Sequence, residues 1–403
     1  MKIGFFSKVL NSKKFMLFVS FFGLYLLSTG SSWAVFSFLS EDSGISTVDL
    51  SKGRGRIDPS LPKTEECPIN GKMFSKPERE IWEKRRPMTA IIENHLDSRP
   101  QSGISYADVV YEAVAEGGIT RFLNVFYCGS SVEDIKIAPI RSIRVYFIDW
   151  AAEYSENPIL VHSGGANNIC KDCPGGIKER GVVAPEVDAF KTLTKLGWRA
   201  SQGNSMDAGT NLGFPAVKRD QYRLGTKAAW EHSYEGYTDK IFEVAEERGF
   251  GDDWDGDFVS WKFADDKALS VPLANEISFV FWSNKGDYDV SWKYDGQNNQ
   301  YLRFNGGKEH IDNETGNQLS AKNIVIQYVK ENGPVDKEGH MFYTTTGTGE
   351  AIIFQNGDVI KGKWSKKAQP DRTMFFDDEG RETNFVRGVI WIEAVPSGNE
   401  IKY

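Results

Sequence analysis

The sequence predicts an α+β fold in which a mixed α/β N-terminal domain over 67–275 is followed by a smaller, mainly antiparallel β domain over 276–403. Three observations predict it. In the first half, apolar strand-like runs at 88–94, 109–115, 120–126 and 159–162 alternate with helical stretches at 142–154 and 185–195. In the second half, short β-rich runs are cut by Asp295-Gly296, Asn305-Gly306-Gly307, Glu338-Gly339, Asn356-Gly357 and Glu379-Gly380, residues that accept positive φ and so close turns. The chain of 403 residues, 40% hydrophobic, supplies one or two sizeable cores.

The N-terminus reads as an address. Lys2, Lys8, Lys13 and Lys14 precede 25 uncharged residues, 15–39, and Glu41 and Asp42 follow at once. At 1.5 Å per residue this run spans a ~30 Å hydrocarbon core. Lysine before and acid after orient it with the N-terminus inside, so the expected partner of residues 1–40 is the membrane and the expected location is its extracytoplasmic face. Ser32-Trp33-Ala34 offers small residues to a signal peptidase, which makes secretion after cleavage near Ala34 the alternative. Residues 41–66, rich in Ser, Gly, Pro and charge, form a flexible spacer.

The first domain begins near Cys67. Its run 88–94 ends on Glu93-Asn94-His95, and Arg99-Pro100-Gln101-Ser102-Gly103 follows, so several donors and acceptors collect in one loop at a strand end. The plainer reading is a loop that satisfies its own backbone. Gly117-Gly118 then predicts a two-residue hairpin turn. In that register Val114 faces Arg121, with Glu112 and Glu116 diagonal to the guanidinium on the same face. A helix would instead stack Asp108, Glu112 and Glu116 as like charges and run into two glycines. After Pro139, Ser142 is placed to cap the 142–154 helix, while Arg141 and Arg144 serve an anion or pair with Asp149 and the hairpin acids. His162-Ser163-Gly164-Gly165 has the backbone freedom of an anion-binding nest. Residues 196–275, irregular and rich in Gly and Asp, are assigned to the same domain.

A net charge of −8 argues against a nucleic-acid surface, because displacing counterions takes clustered Lys and Arg that this chain lacks. Lys84-Arg85-Arg86 and Lys366-Lys367 read as solvated stretches. Cys67, Cys128, Cys170 and Cys173 fall on the exported side, where disulfides are the default. Three connectivities exist, and pairing Cys67 with Cys128 and Cys170 with Cys173 is the plain one. The Cys170/Cys173 spacing also allows a redox pair, and four thiolates allow zinc, although no metal is assigned.

Established catalytic signatures are absent: there is no GxxxxGK[ST], HExxH or GxSxG, and Gly347-Thr-Gly-Glu-Ala351 lacks the third glycine of a dinucleotide fingerprint. No cofactor is expected. Asp253, Asp255 and Asp257 alternate as calcium ligands do, yet Phe258 and Ala264 at positions six and twelve exclude an EF-hand, leaving an acidic loop or a less regular calcium site. Glu112 and Glu116 are poor glycosidase partners, since four strand residues separate backbones by ~13 Å against a carboxyl spacing of ~5–9.5 Å. Of five histidines, none at helical ligand spacing, His95 and His162 stand nearest the polar loops. Trp282 and Trp292 are either sugar-stacking platforms or sheet core.

A set of motifs carries a resemblance. Cys67-Pro-Ile-Asn-Gly71, Ile91-Ile-Glu-Asn-His95, Arg99-Pro-Gln-Ser-Gly103, Ala107-Asp-Val-Val-Tyr-Glu112, Glu116-Gly-Gly-Ile-Thr-Arg121, Pro139-Ile-Arg-Ser142 and His162-Ser-Gly-Gly165 occupy the first half. Tyr301-Leu-Arg303, His310-Ile-Asp312, Thr315-Gly316, Gly347-Thr-Gly-Glu-Ala351 and Trp391-Ile-Glu393 occupy the second. Across 67–396 the chain resembles the bacterial YerB-like lipoprotein family, a two-domain family of unknown function. The resemblance implies export and tethering to the outer face of the cell membrane, and no reaction. The leader departs from a lipoprotein pattern in containing no cysteine to lipidate.

Two function classes follow. The first is a membrane-tethered protein that binds an anionic or glycan cell-envelope ligand, or an envelope protein, through Arg99, Arg121, Arg141 and Arg144. Glu93, Asn94, His95, Gln101, Ser102, Glu112, Glu116, Ser142 and His162 would complete that groove. The second is a cell-wall hydrolase or transferase with Glu93 or Glu112 as acid/base, assisted by His95 or His162. A carboxylate with a raised pKa facing a cleft favours the second, and ion-paired acids favour the first.

Overall fold

Apolar β-formers build one large mixed sheet from both halves of the chain. Its eleven strands, numbered in chain order, are β1 Met88–Glu93, β2 Val109–Glu116, β3 Ile119–Phe126, β4 Ile159–His162, β5 Ser205–Asp207, β6 Asn323–Asn332, β7 Phe342–Thr344, β8 Gly347–Gln355, β9 Asp358–Lys366, β10 Met374–Asp377 and β11 Ile390–Pro396. In space they run β5-β4-β1-β3-β2-β11-β6-β8-β9-β10, with β7 added beside β6. The computed structural model describes residues 57–403 apart from 132, 171–177, 180, 252, 253, 255 and 257, and only the backbone at 170, 178 and 179. The leader, most of the spacer, the Cys170/Cys173 pairing and the alternating Asp253, Asp255 and Asp257 lie outside the described residues.

Strand direction is what positions the site. β5, β4 and β1 are mutually parallel, β2, β11 and β6 are mutually parallel, and β3 runs antiparallel to both β1 and β2. These six strands, together with β9, therefore point one way and end at one edge. Buried residues fill β1, β2, β3 and β11 almost throughout, as near-continuous apolar strands do when both sheet faces are covered.

Four short helices are present among the described residues: α1 Lys76–Trp82, α2 Val145–Ala151, α3 Ala189–Lys195 and α4 Thr238–Glu247. α2 covers one face, where Trp150 stacks on Tyr111 of β2 at 5.3 Å. A five-stranded antiparallel sheet, built from Glu276–Phe279, Val290–Asp295, Gln300–Asn305, Lys308–Glu309 and Ser320–Ala321, covers the other. Its strand Gln300–Asn305 alternates strictly, and Tyr301, Arg303 and Asn305 point inward. No described helix is long and apolar enough to cross a membrane.

The fold is mostly strand with few helices, and the turn dipeptides close turns as expected. Asn356 and Gly357 both take positive φ, 58° and 73°, between β8 and β9. Three details differ from expectation. First, the β2/β3 hairpin turns at Gly117-Gly118, but a bulge between Val114 and Glu116 places Ala113 opposite Arg121 and Val114 opposite Thr120. A one-residue shift exchanges the faces, so Glu112 lies with Phe122 and Thr120 while Arg121 points the other way; only Glu116, beyond the bulge, joins Arg121. Second, the helix at 142–154 is shorter. α2 begins at Val145 with Arg144 at the N-cap, and Ser142 instead donates its hydroxyl to Ser163 O at 2.9 Å. Third, Lys366 is not solvated: at the end of β9 it is fully buried, with Nζ 2.7 Å from Glu153 Oε1. In the other basic stretch, Arg85 packs over the Phe242 ring and pairs with Asp239 at 3.2 Å.

Candidate functional site

In open sheets with parallel strands, ligand clefts form beyond the carboxyl ends of the strands, where loops diverge and backbone groups are free of the ladder. Here β1, β4 and β5 end at Glu93, His162 and Asp207. Each end carries a polar group. Glu93 Oε1 pairs with Arg141 Nε at 3.0 Å and its Oε2 with His232 Nδ1 at 2.7 Å. The His95 ring stacks on His232 at 4.8 Å, and His95, Asp97 and His232 bring ligand atoms within 4.8 Å of one another. The Arg141 charge against Glu93 makes this a poor cation site, and His232 is pushed toward its protonated form mainly by its bond to Glu93.

His162 is buried, which depresses its pKa and keeps it neutral. Nδ1 donates to Gly164 O at 2.9 Å and Nε2 accepts from Ser205 Oγ at 2.8 Å, so neither nitrogen is open to a substrate. The Ser163-Gly164-Gly165 nest is likewise closed from within. Ser163 N–H donates to Arg141 O at 3.0 Å and Gly164 N–H to Asp207 Oδ1 at 2.7 Å, so a carboxylate of the protein already takes the anion's place.

The sequence-predicted arginines are also engaged. Arg121 and Arg144 both bind Glu116, Arg144 through Nη2 at 2.6 Å and Nε at 3.1 Å. Arg121 Nη1 donates to Ser142 O at 2.9 Å. Burial pushes the Glu116 carboxyl up, but the two guanidinium charges outweigh it and hold it at about 2. Because that value lies below the ordinary 4.5, the pairing contributes stability that is present above pH ~4.5 and lost as pH falls toward ~2. Urea unfolding of Glu116→Gln across that window is expected to show a flatter pH dependence than the parent protein; an unchanged slope would sink the assignment.

Arg99 donates to Asn94 O through Nε at 3.2 Å and Nη2 at 3.0 Å, and to Asp287 O at 2.9 Å. Its loop is pinned by Arg223, whose Nη1 reaches Pro100 O at 2.7 Å and Ser102 Oγ at 3.3 Å. The loop is thus held partly by its own groups and partly by Arg223 and Asp287 from outside it.

Glu112, Asn94 and Gln101 belong to a separate buried network at the centre of the fold. Glu112 and Glu393 are register neighbours on β2 and β11, both fully buried. Arg303 enters from the five-stranded sheet between them, with Nη2 2.5 Å from Glu112 Oε2 and Nη1 2.9 Å from Glu393 Oε1. Arg303 Nε donates to His310 Nδ1 at 3.0 Å, and His310 Nε2–H donates to Gln101 Oε1 at 2.8 Å. Burial, with Arg303 alongside, holds His310 neutral. Thr120 Oγ1 donates to the other Glu112 oxygen at 2.6 Å. Trp292 is core rather than a sugar platform: it is fully buried and donates Nε1–H to Glu393 Oε1 at 3.2 Å. Trp282 is half-buried and bonded to Glu331 at 3.1 Å.

What the sequence reading missed is the cleft itself. Beyond β4 and β5 lies a cleft of about 590 Å³ lined by Ser142, Ser163, Asp207, Arg199, Arg219 and Tyr234, among others. Arg199 stacks on Phe190 at 4.1 Å and Arg219 lies between Trp230 and Tyr234, at 4.3 and 3.7 Å. Arg219 donates to Trp230 O and, at 3.2 Å, to Ser233 Oγ. Neither has a carboxylate partner among the described residues. No local pattern marks them: Arg199 is a single basic residue, and Arg219 follows Lys218 at the end of a three-residue strand.

Cys67 and Cys128 form a disulfide with Cα atoms 6.0 Å apart, which removes both thiols from any zinc site. Residues 74–206 match the family model described as "Protein of unknown function (DUF3048) N-terminal domain", and residues 277–392 match its C-terminal domain model. The chain belongs to the DUF3048 family. The first DUF3048 segment carries β1 to β4 and reaches into β5, and the second carries the five-stranded sheet and β6 to β10. The chain is 28% identical over 338 residues to "Putative lipoprotein YerB" of Bacillus subtilis (strain 168), covering 84% of this chain and 88% of that protein. It is similar to the crystal structure of the YerB protein from Bacillus subtilis, with a TM-score of 0.64 and 26% identity, over 84% of this chain and all of the other.

Proposed function

We propose that this DUF3048 protein binds an anionic group of a cell-envelope ligand, a phosphate or carboxylate on a polymer or glycan, in the cleft beyond β4 and β5. The observation that carries the reading is that Arg199 and Arg219 face one cleft with no carboxylate partner among the described residues, whereas Arg121, Arg141 and Arg144 are committed to acids inside the fold. The rings of Phe190, Trp230 and Tyr234 hold the two guanidinium groups in place, which lowers the entropy lost on binding. A cleft of about 590 Å³ suits a small charged group with part of its scaffold. The printed name of the B. subtilis relative, a lipoprotein, supports a location on the outer face of the cell membrane.

Titration calorimetry with inorganic phosphate and with glycerol 3-phosphate tests this. Arg199→Ala and Arg219→Ala are each expected to weaken binding at least about tenfold, the effect of one lost charge-assisted contact. Equal affinity in both variants, or no binding by the parent protein, would reject it. A second reading, acid/base chemistry on the cell wall, draws on the Glu93–His232 contact at 2.7 Å beside His95. Turnover of purified peptidoglycan that Glu93→Gln abolishes would favour it over capture.

A further inference from the structure

On the far side of the sheet, Arg372 follows β9 and precedes β10 in the chain. It is only 6% exposed; Nε, Nη1 and Nη2 are all buried and make no well-formed hydrogen bond, with the Tyr154 hydroxyl and the Glu153 carboxylate as their polar neighbours. Trp261, Tyr154 and Phe258 surround the guanidinium with ring centroids 3.6, 4.4 and 5.2 Å from its carbon. Rings placed over a guanidinium stabilise its charge through their faces. They do nothing for its N–H bonds, which lie in the plane and require acceptors at the edge.

The nearest carboxylate is already saturated. Glu153 Oε2 stands 3.6 Å from Arg372 Nη1, too far to bond. Its oxygens take Lys366 Nζ at 2.7 Å, Thr373 Oγ1 at 2.6 Å and Thr373 N at 3.1 Å. A buried charged donor set with so few acceptors is costly, and a ligand that supplied one would relieve that cost.

Arg372 lines a cleft of about 950 Å³ whose walls include Tyr154, Phe258, Val259, Met374 and Phe376. Val259 is 53% exposed, an apolar residue left open at the rim. We propose that this cleft recognises a peptide C-terminal carboxylate bearing an apolar terminal side chain. The planar guanidinium fork matches a carboxylate in two parallel hydrogen bonds, and the rings and Val259 cover the side chain. Glu153, Glu156 and Asp371 also line the cleft, and their repulsion is about twofold stronger for a doubly charged phosphate than for a singly charged carboxylate. Ser155, Ser365 and Lys367 interleave with the rings, so the lining suits an amphipathic peptide backbone better than a fatty-acyl tail, which requires an apolar tunnel.

The test uses N-acetyl-Gly-Gly-Leu, N-acetyl-Gly-Gly-Phe and N-acetyl-Gly-Gly-Ala, each as free acid and as C-terminal amide, titrated into the full chain by calorimetry. At least one free acid is expected to bind saturably below about 5 mM, with its amide at least about tenfold weaker. Arg372→Lys, which keeps the charge and loses the fork, is expected to weaken the acid at least about tenfold. Should that variant fail to fold, Val259→Asp decides, because it places a repelling carboxylate at an exposed rim position and is expected to abolish binding while unfolding as the parent does. Absence of binding by all three acids at about 5 mM, equal affinity for acid and amide, or undiminished binding by Val259→Asp overturns the proposal.

Discussion

Arg303→Ala is expected to lower the stability of the folded unit by about 3–5 kcal/mol, the cost of stranding buried charge when one member of a buried pair is deleted. Glu112 and Glu393 sit side by side on parallel strands with no exposed surface. Burial raises the Glu393 pKa well above the ordinary carboxylate range, and the adjacent Glu112 charge raises it further. Arg303 lies between the two carboxyls and is the cation bonded to both. Removing Arg303 leaves two fully buried carboxyls, Glu112 and Glu393, without their shared guanidinium partner.

A typical domain has only about 5–15 kcal/mol of stability in hand, so this loss removes a large share. The loss shrinks when the whole cluster is replaced. Arg303→Met combined with Glu112→Gln and Glu393→Gln is expected to recover most of the loss, because apolar and neutral groups need no counter-charge. Urea unfolding followed by tryptophan fluorescence, with Glu112→Gln and Arg303→Ala in a double-mutant cycle, measures the coupling. A loss below about 1 kcal/mol for Arg303→Ala would show that water or relaxation replaces the guanidinium.

The second large effect is expected at the disulfide. Cys67→Ala with Cys128→Ala is expected to cost ~4 kcal/mol, from the chain-entropy relation applied to a sequence separation of 61. The native geometry is held independently on both sides of the bridge. Asp108 accepts Asn70 Nδ2–H at 2.8 Å next to Cys67, and Tyr127 N–H at 2.7 Å and Gly129 N–H at 3.0 Å on either side of Cys128. The loss therefore resides chiefly in the unfolded chain, which regains the freedom the bridge denied it. Unfolding of the parent protein with and without reductant, beside the double alanine variant, checks this. Coincident midpoints in all three would refute it.

The parts of the fold legible in the sequence were the local ones. Gly117-Gly118 and Asn356-Gly357 mark turns because positive φ is a property of those residues alone. The apolar runs marked β1 to β4 because period and branching are read within a few residues. The bulge at Val114–Glu116 was not legible, since nothing in that stretch signals one extra residue, and it decided which acid meets Arg121. Ser142 looked like a helix cap for the same reason: the alternative acceptor, Ser163 O, lies 21 residues away.

The candidate site divides along the same line. Glu93, Arg141, Ser142 and His162 were found because polar residues at strand ends stand out against apolar runs, and the fold does gather them at one edge. Arg199, Arg219 and Arg372 carry no such contrast. By itself the sequence determined the turns, the strands, the family and the exclusion of the common cofactor motifs, all of which are local or templated features. Only the tertiary structure decided which charges are spent and which remain available, because pairing Glu112 with Arg303 across 191 residues, or leaving Arg372 without a well-formed hydrogen bond, depends on packing between elements that no local periodicity encodes.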